Sequence, residues 1–293
     1  MLSNDGGQLA ATPSYALCGT LASIKKLYTP NIRDRNLPSF KSFRIAILLG
    51  FLIIVGLTSA HQRVYTRNWN QPLTAVIYPI NADGYLSSKE YIETLKPEHF
   101  QAINDWGDRE AERYDLDLPN PIRVELGEVI DSLPPEWPNT DSPLMVLLWG
   151  LKFRWWAYRN TPDSHSDITQ VRMFVMYHDS ADNKTLAHSL GMQKGLMGLV
   201  HAFADKRSTA QNNIVIAHEL LHTVGASDKY SSVGQPIYLE GYADINREPL
   251  LPQRNAEIMA GRTPTSRTKS YMPKSLNRVR INSYTAMEIN WIQ

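Results

Sequence analysis

The run His218-Glu219-Leu220-Leu221-His222-Thr223-Val224-Gly225-Ala226-Ser227-Asp228 constrains this chain more than any other stretch of it. Two histidines four residues apart share one face of a helix and can point at a single ion. Glu219 then stands beside that ion, where a carboxylate can activate water as a general base. The surroundings predict the helix itself. Ser208 and Gln211 have the S-x-x-Q spacing of a capping box. Ile214, Val215, Ala217, Leu220, Leu221 and Val224 supply apolar positions for burying it. Gly225 falls where the helix must stop, because glycine adopts the left-handed conformation after a helix end at no steric cost. The chain can then turn and bring a third ligand back to the ion.

The same run resembles the metzincin signature H-E-x-x-H-x-x-G-x-x-H, with Asp228 in place of the third histidine, as in the snapalysin-type variant of that clan. Further on, Ala256-Glu257-Ile258-Met259-Ala260-Gly261-Arg262 resembles a Met-turn, with Met259 as its methionine. These motifs cover residues 208–230 and 256–262. The resemblance implies a zincin-like α+β fold: a twisted, mainly parallel or mixed sheet, an active-site helix and a loop-rich C-terminal subdomain. It also implies a zinc endopeptidase acting on protein or peptide. His218, His222 and Asp228 would hold Zn2+, Glu219 would be the general base, and Met259 would be structural. Some clan members carry a tyrosine just after the Met-turn. Gly261 occupies that position here, which leaves Tyr230, Tyr242 and Tyr271 as substitutes.

Three other readings stay open at this level. Glu240 lies 18 residues after His222, which resembles the gluzincin arrangement in which a downstream glutamate is the third ligand. Zinc accepts either carboxylate. The stop at Gly225, the Met-turn and the breakers Gly234 and Pro236 favour Asp228. The others are a membrane-anchored binding or assembly protein with a purely structural zinc, and a different zinc hydrolase, for example of cell-wall peptide cross-links. Glu219 argues against a structural site, which needs no general base.

The chain has 293 residues, 43 % hydrophobic and 20 % charged, enough for one globular domain plus an extension. Its formal net charge of +1 gives no nucleic-acid signal, but the charge is uneven. Residues 1–60 carry six Lys/Arg against two acids, net +4, and the rest carries 24 against 27, net −3. Ile45 to Leu57 is an unbroken apolar run preceded by Lys41 and Arg44 and followed by Thr58-Ser59-Ala60. That is the build of a signal or signal-anchor segment. It predicts a disordered cytoplasmic stretch over 1–40, a membrane anchor over 41–60 and a catalytic domain over 61–293. The basic side stays in. The catalytic part is therefore expected outside the cytoplasm, in a bacterial periplasm or envelope, or secreted if cleavage follows Ala60. Cys18 is the only cysteine, so the part beyond the anchor has neither disulfide nor thiol nucleophile.

Pattern and punctuation predict the other elements. Strands are expected at 73–80, 122–126, 168–177 and 195–204, and helices at 97–114, 144–158 and 285–291. Phe100, Ile103, Trp106 and Ala111 should face inward on the first helix, and Met287 or Ile289, with Trp291, on the last. The strand at 195–204 is expected at the sheet edge, where residues 198–201 would line a cleft and pair with extended substrate. His188 and His201 read as ordinary histidines rather than ligands. Residues 144–158 read as a helix packed on the sheet. Their tryptophans and cations also suit an apolar interface.

Overall fold

The computed structural model describes residues 40–138, 142–161, 169–181, 186–193 and 195–292. The reading of residues 1–40 as disordered falls almost wholly outside them. The first element, α1 (Phe40–Arg67), is one uninterrupted helix of 28 residues. It is long and apolar enough to cross a membrane: its best window has a mean hydropathy of 2.2 and none of that window is buried. The helix does not stop at Ala60 but continues seven residues further. Its last turn is tied down, with Arg67 Nη2 donating to the Glu288 carbonyl at 2.5 Å. Asn290 Nδ2 donates to the Arg67 carbonyl at 3.1 Å. Just beyond, Trp69 Nε1 donates to the Ile289 carbonyl at 2.6 Å.

A five-stranded sheet follows, built from β1 (Leu73–Asn81), β2 (Ile122–Leu126), β3 (Val171–His178), β4 (Leu190–Met192) and β5 (Met197–Phe203). The strand order is β2-β1-β3-β5-β4, and only β4 runs antiparallel to its neighbour. Parallel neighbours need long crossovers. These contain α2 (Leu86–Glu93) and α3 (Gln101–Glu112) between β1 and β2, and α4 (Pro143–Asn160) between β2 and β3. The architecture is therefore α/β, with a mixed, mainly parallel sheet and six α-helices among the described residues. Helices alternate with strands rather than segregating as α+β.

The central strands read as nearly continuous apolar runs because both faces are covered. Ala75, Ile77, Met173, Val175, Val200 and Ala202 face one core with residues of α3 and of α5 (Thr209–Thr223). Val76, Tyr78, Ile80, Phe174 and Leu199 face the other, with Trp149, Phe153 and Ala157 of α4. The helix expected at 97–114 begins as a 3-10 turn at Pro97–His99 and becomes α-helical from Gln101. Its four expected inward residues, Phe100, Ile103, Trp106 and Ala111, are all buried.

Three details differ from the sequence reading. The strand before α5 is not the edge. The three-residue β4 pairs with it, Gly191 opposite Gly198, and takes the edge position. At the far end, α6 (Ser283–Glu288) ends before Ile289 and Trp291, which are buried, while Met287 is exposed. The Ser208 N-cap of α5 sits in helical backbone conformation and makes no side-chain capping bond. That backbone geometry turns its hydroxyl away from the free N–H groups that a capping box satisfies. Beyond Asp228 the regular elements are two-residue strands, short turns and α6, as the Pro- and Gly-rich sequence predicts.

Candidate metal centre

Helix α5 is buried over Asn212–Ile214, Ile216, Ala217, Glu219–Leu221 and Thr223. It ends as the glycine predicts. Gly225 has φ +107°. Its N–H donates to His222 O and that of Ala226 to Leu221 O, each at 3.1 Å. These two bonds form a Schellman motif, which closes the helix and reverses the chain. The reversal brings Asp228 back alongside the two histidines.

His218 Nε2, His222 Nε2 and Asp228 Oδ1 converge, each 3.1 Å from the other two. The imidazole tautomers follow from the other ring nitrogens. His218 Nδ1 lies 2.9 Å from the Ile258 carbonyl and His222 Nδ1 2.8 Å from the Ala226 carbonyl. A carbonyl only accepts, so each Nδ1 carries the proton and each neutral ring turns a bare lone pair inward. Three lone pairs therefore face one point, which calls for a positive charge there. Protons on the Nε2 atoms can stand in for that charge, and the titration tendencies arise in that way. Burial lowers the His218 pKa, but the Asp228 hydrogen bond, the Glu219 charge and the Ile258 carbonyl outweigh it, and the net shift is upward. Burial also works against ionisation of Asp228, yet its hydrogen bonds to both histidines hold its carboxyl well below the usual range.

The donor set fits a tetrahedral divalent ion of the zinc type. Ligand atoms ~2.0–2.1 Å from such an ion stand ~3.3–3.4 Å apart, close to the separations here. Two imidazoles and one carboxylate suit zinc chemically and leave a fourth position open. The Asp228 side chain is 44 % exposed, so the group opens to solvent. It is the sole such cluster of three or more ligating side chains among the described residues. Glu240, the competing ligand, is exposed and stands outside it, its carbonyl held by Asn282 Nδ2 at 2.6 Å. Asp244 braces its own loop through Gln253 and Asn246. His201 lies on the sheet face turned away from α5, 2.9 Å from His178, and His188 is exposed.

Glu219 completes the site. It is buried, and one carboxylate oxygen, Oε2, has no hydrogen-bond partner among the described residues. Burial raises its pKa against the lowering pull of His218 and His222, and Gly191 of the edge strand hydrogen-bonds to it. The approach of β4 to α5 requires that glycine. A Cβ at Gly191 would run into the Glu219 carbonyl and stand 2.6 Å from His222 Cβ. Of the three candidate tyrosines, Tyr230 is the one at the cluster. Its ring stacks against His218 with centroids 6.3 Å apart. Burial and then the Asp228 carboxylate push its phenol up to about 12, so it keeps its proton near neutrality.

The turn containing Met259 braces this cluster from behind. Besides the Ile258 carbonyl on His218, the Met259 carbonyl accepts the Lys229 N–H at 3.0 Å, and the Met259 side chain is fully buried in the larger core. The buried Glu257 carboxylate holds the turn by accepting from Ala260 N at 2.9 Å and Thr285 Oγ1 at 2.7 Å. Lys229, only 1 % exposed, meets Glu288 at 2.9 Å. Glu288 also accepts from Ser227 N and Oγ at 3.0 and 2.5 Å. Residues on both sides of Asp228 are thus fastened to α6, whose end receives Arg67. A buried lysine is not legible as such in sequence, and this bracing escaped the sequence reading. Glu288→Ala should lower the unfolding free energy by about 2 kcal/mol, since it strands a buried cation. The value falls below the ~3–5 kcal/mol of a fully buried pair because Glu288 is itself 31 % exposed. Denaturant titration with unchanged slope checks it.

No protein-family model matches this chain, and no curated protein is significantly similar to it in sequence. Its function must therefore be read from the chemistry of the cluster.

Proposed function

We propose that the chain is a membrane-anchored zinc endopeptidase, with a zincin-like arrangement of sheet, helix α5 and loop-rich lower half. His218, His222 and Asp228 would hold the ion. The observation that carries this reading is the unpartnered Glu219 Oε2 beside three converging donor atoms. A structural site has no use for a buried carboxylate oxygen left without a hydrogen bond, which is costly. Zinc, when bound, supplies a Lewis acid that polarises a peptide carbonyl and makes water more acidic.

The residues divide the remaining work. Glu219 accepts a proton from the attacking water and delivers it to the leaving amine nitrogen. Burial, which raises its proton affinity, suits it to both steps. The Ile258 and Ala226 carbonyls hold His218 and His222 in the one tautomer that presents Nε2. Tyr230 keeps its phenolic proton and can donate it as a hydrogen bond to the oxygen that gains charge as the carbonyl is attacked. Among the described residues, no strand pairs with the outer side of the edge strand β4. An extended peptide can pair there by backbone hydrogen bonds, with little demand on its side chains.

Tyr230→Phe should keep its metal and its fold yet lose about 100-fold in kcat with little change in KM, the loss seen when one oxyanion donor is removed. An unchanged kcat would remove Tyr230 from the mechanism. The reading as a whole is tested on the purified full-length chain with an unstructured protein such as casein. Hydrolysis abolished by a zinc chelator and restored by zinc supports it, and no hydrolysis of any protein or peptide in a zinc-loaded sample defeats it. We read α1 as the anchor, with the basic N-terminal flank inside and the catalytic body outside the cytoplasm.

A further inference from the structure

Helix α4 has two apolar faces, and only one of them is covered by the described residues. Trp149, Phe153 and Ala157 fill the core against the sheet. Leu144, Leu147, Leu148, Leu151, Trp155 and Tyr158 follow each other at helical spacing and are all exposed, Leu151 at 56 %, Trp155 at 61 % and Tyr158 at 72 %. Exposing a contiguous apolar stripe of this size to water is unfavourable, and such stripes mark interaction surfaces. The stripe does not belong to the candidate active site, because α5 packs on the opposite face of the sheet.

Its chemistry indicates the occupant. No Asp or Glu occurs between Pro143 and Asn160, while Lys152 and Arg159 are exposed at its side. Arg159 lies 5.9 Å over the Trp155 ring. Leucines flanked by Trp, Tyr and cations are the composition of a helix lying in a bilayer interface, where apolar area and attraction to anionic lipid act together. The chain supplies the proximity. Strand β1 begins only six residues after Arg67, and Arg67 and Trp69 are bonded to the end of α6. No free linker separates the apolar helix from the catalytic body.

We propose that the outward face of α4 lies on an anionic lipid surface as a second membrane contact, resting on the reading of α1 as an anchor. It would fix the orientation of the catalytic body on the bilayer rather than leave it to pivot about one helix. The protein would then act on chain segments presented at a set height above the membrane.

The test uses the full chain, with Cys18→Ser as background, reconstituted into vesicles of phosphatidylcholine alone or mixed with phosphatidylglycerol. An environment-sensitive fluorophore is placed singly at Ile53→Cys in the anchor, at Leu151→Cys on α4, or at Glu112→Cys on α3. Lipids brominated on their acyl chains report contact. In the mixed vesicles the label at 151 should be quenched by about half or more, and that at 112 should not be. Reversing Lys152 and Arg159 to Glu should lower the docked-to-undocked ratio by at least about fivefold per cation lost. Quenching at 53 without quenching at 151 overturns the α4 proposal and leaves the anchor standing. Absence of quenching at both overturns both. A label at 151 that is shielded from water but never quenched by lipid means that protein covers the helix, and that also overturns the proposal.

Discussion

Glu219→Gln should reduce peptide hydrolysis by about 1,000-fold, within the range for loss of a general base, while the protein keeps its zinc and its melting temperature. The substitution keeps shape and volume and removes only the capacity to take a proton. Glu219 is buried, and burial already raises its pKa, so a neutral amide there should cost the fold little. The two observables separate the hydrolase from a protein whose zinc is structural. A hydrolase loses turnover with metal retained. A structural zinc protein has no turnover to lose, and its binding function would be unaffected. Loss of zinc in this variant would instead mean that Glu219 itself ligates, and the assigned roles would fall.

Trp106→Ala should cost about 3–5 kcal/mol of unfolding free energy, a large part of the ~5–15 kcal/mol typical of a domain. Trp106 is fully buried, and its Nε1 donates to the Val279 carbonyl at 3.1 Å. The cost therefore includes a cavity and the loss of one of the two side-chain hydrogen bonds that the Val279 carbonyl accepts, the other coming from Arg280 Nη1. The effect should reach the metal centre. Val279 pairs with Ala256, and Ile258 N donates to Arg280 O at 2.9 Å, so Trp106 supports the strand pair that carries the Ile258 carbonyl to His218. Weaker zinc retention should accompany the drop in stability, both followed in one denaturant titration with a chromogenic zinc indicator. A loss below about 1 kcal/mol would mean that the site relaxes around the cavity.

The residues of the candidate site were legible because its constraints are local. The histidine spacing, the apolar stripe and the glycine stop lie within the twelve residues from Ile214 to Gly225, and helix geometry turns such spacing directly into proximity. The central strands were legible for a related reason: burial on both faces leaves an apolar run that few other structures explain. What escaped the reading depends on distant partners. The edge strand Leu190–Met192 is too short for any period, and it exists because Gly191 can lie against α5 and pair with Gly198. Helix α2 is short and polar outside, with only Ser88, Tyr91 and Ile92 buried. Ser208 had the sequence of a capping box without its geometry. Tyr230 was one of three candidates, and its nearness to Asp228, two residues before it, was the available signal. The choice between Asp228 and Glu240 depended on where a loop of more than ten residues would go, which spacing alone does not decide.

The most direct test is elemental analysis of zinc in the purified full-length chain and in its Asp228→Ala variant. The account predicts about one zinc per chain in the parent and far less in a variant that remains folded, because the ion needs all three converging donors. A well-folded parent without zinc, or a variant that retains as much as the parent, would contradict it.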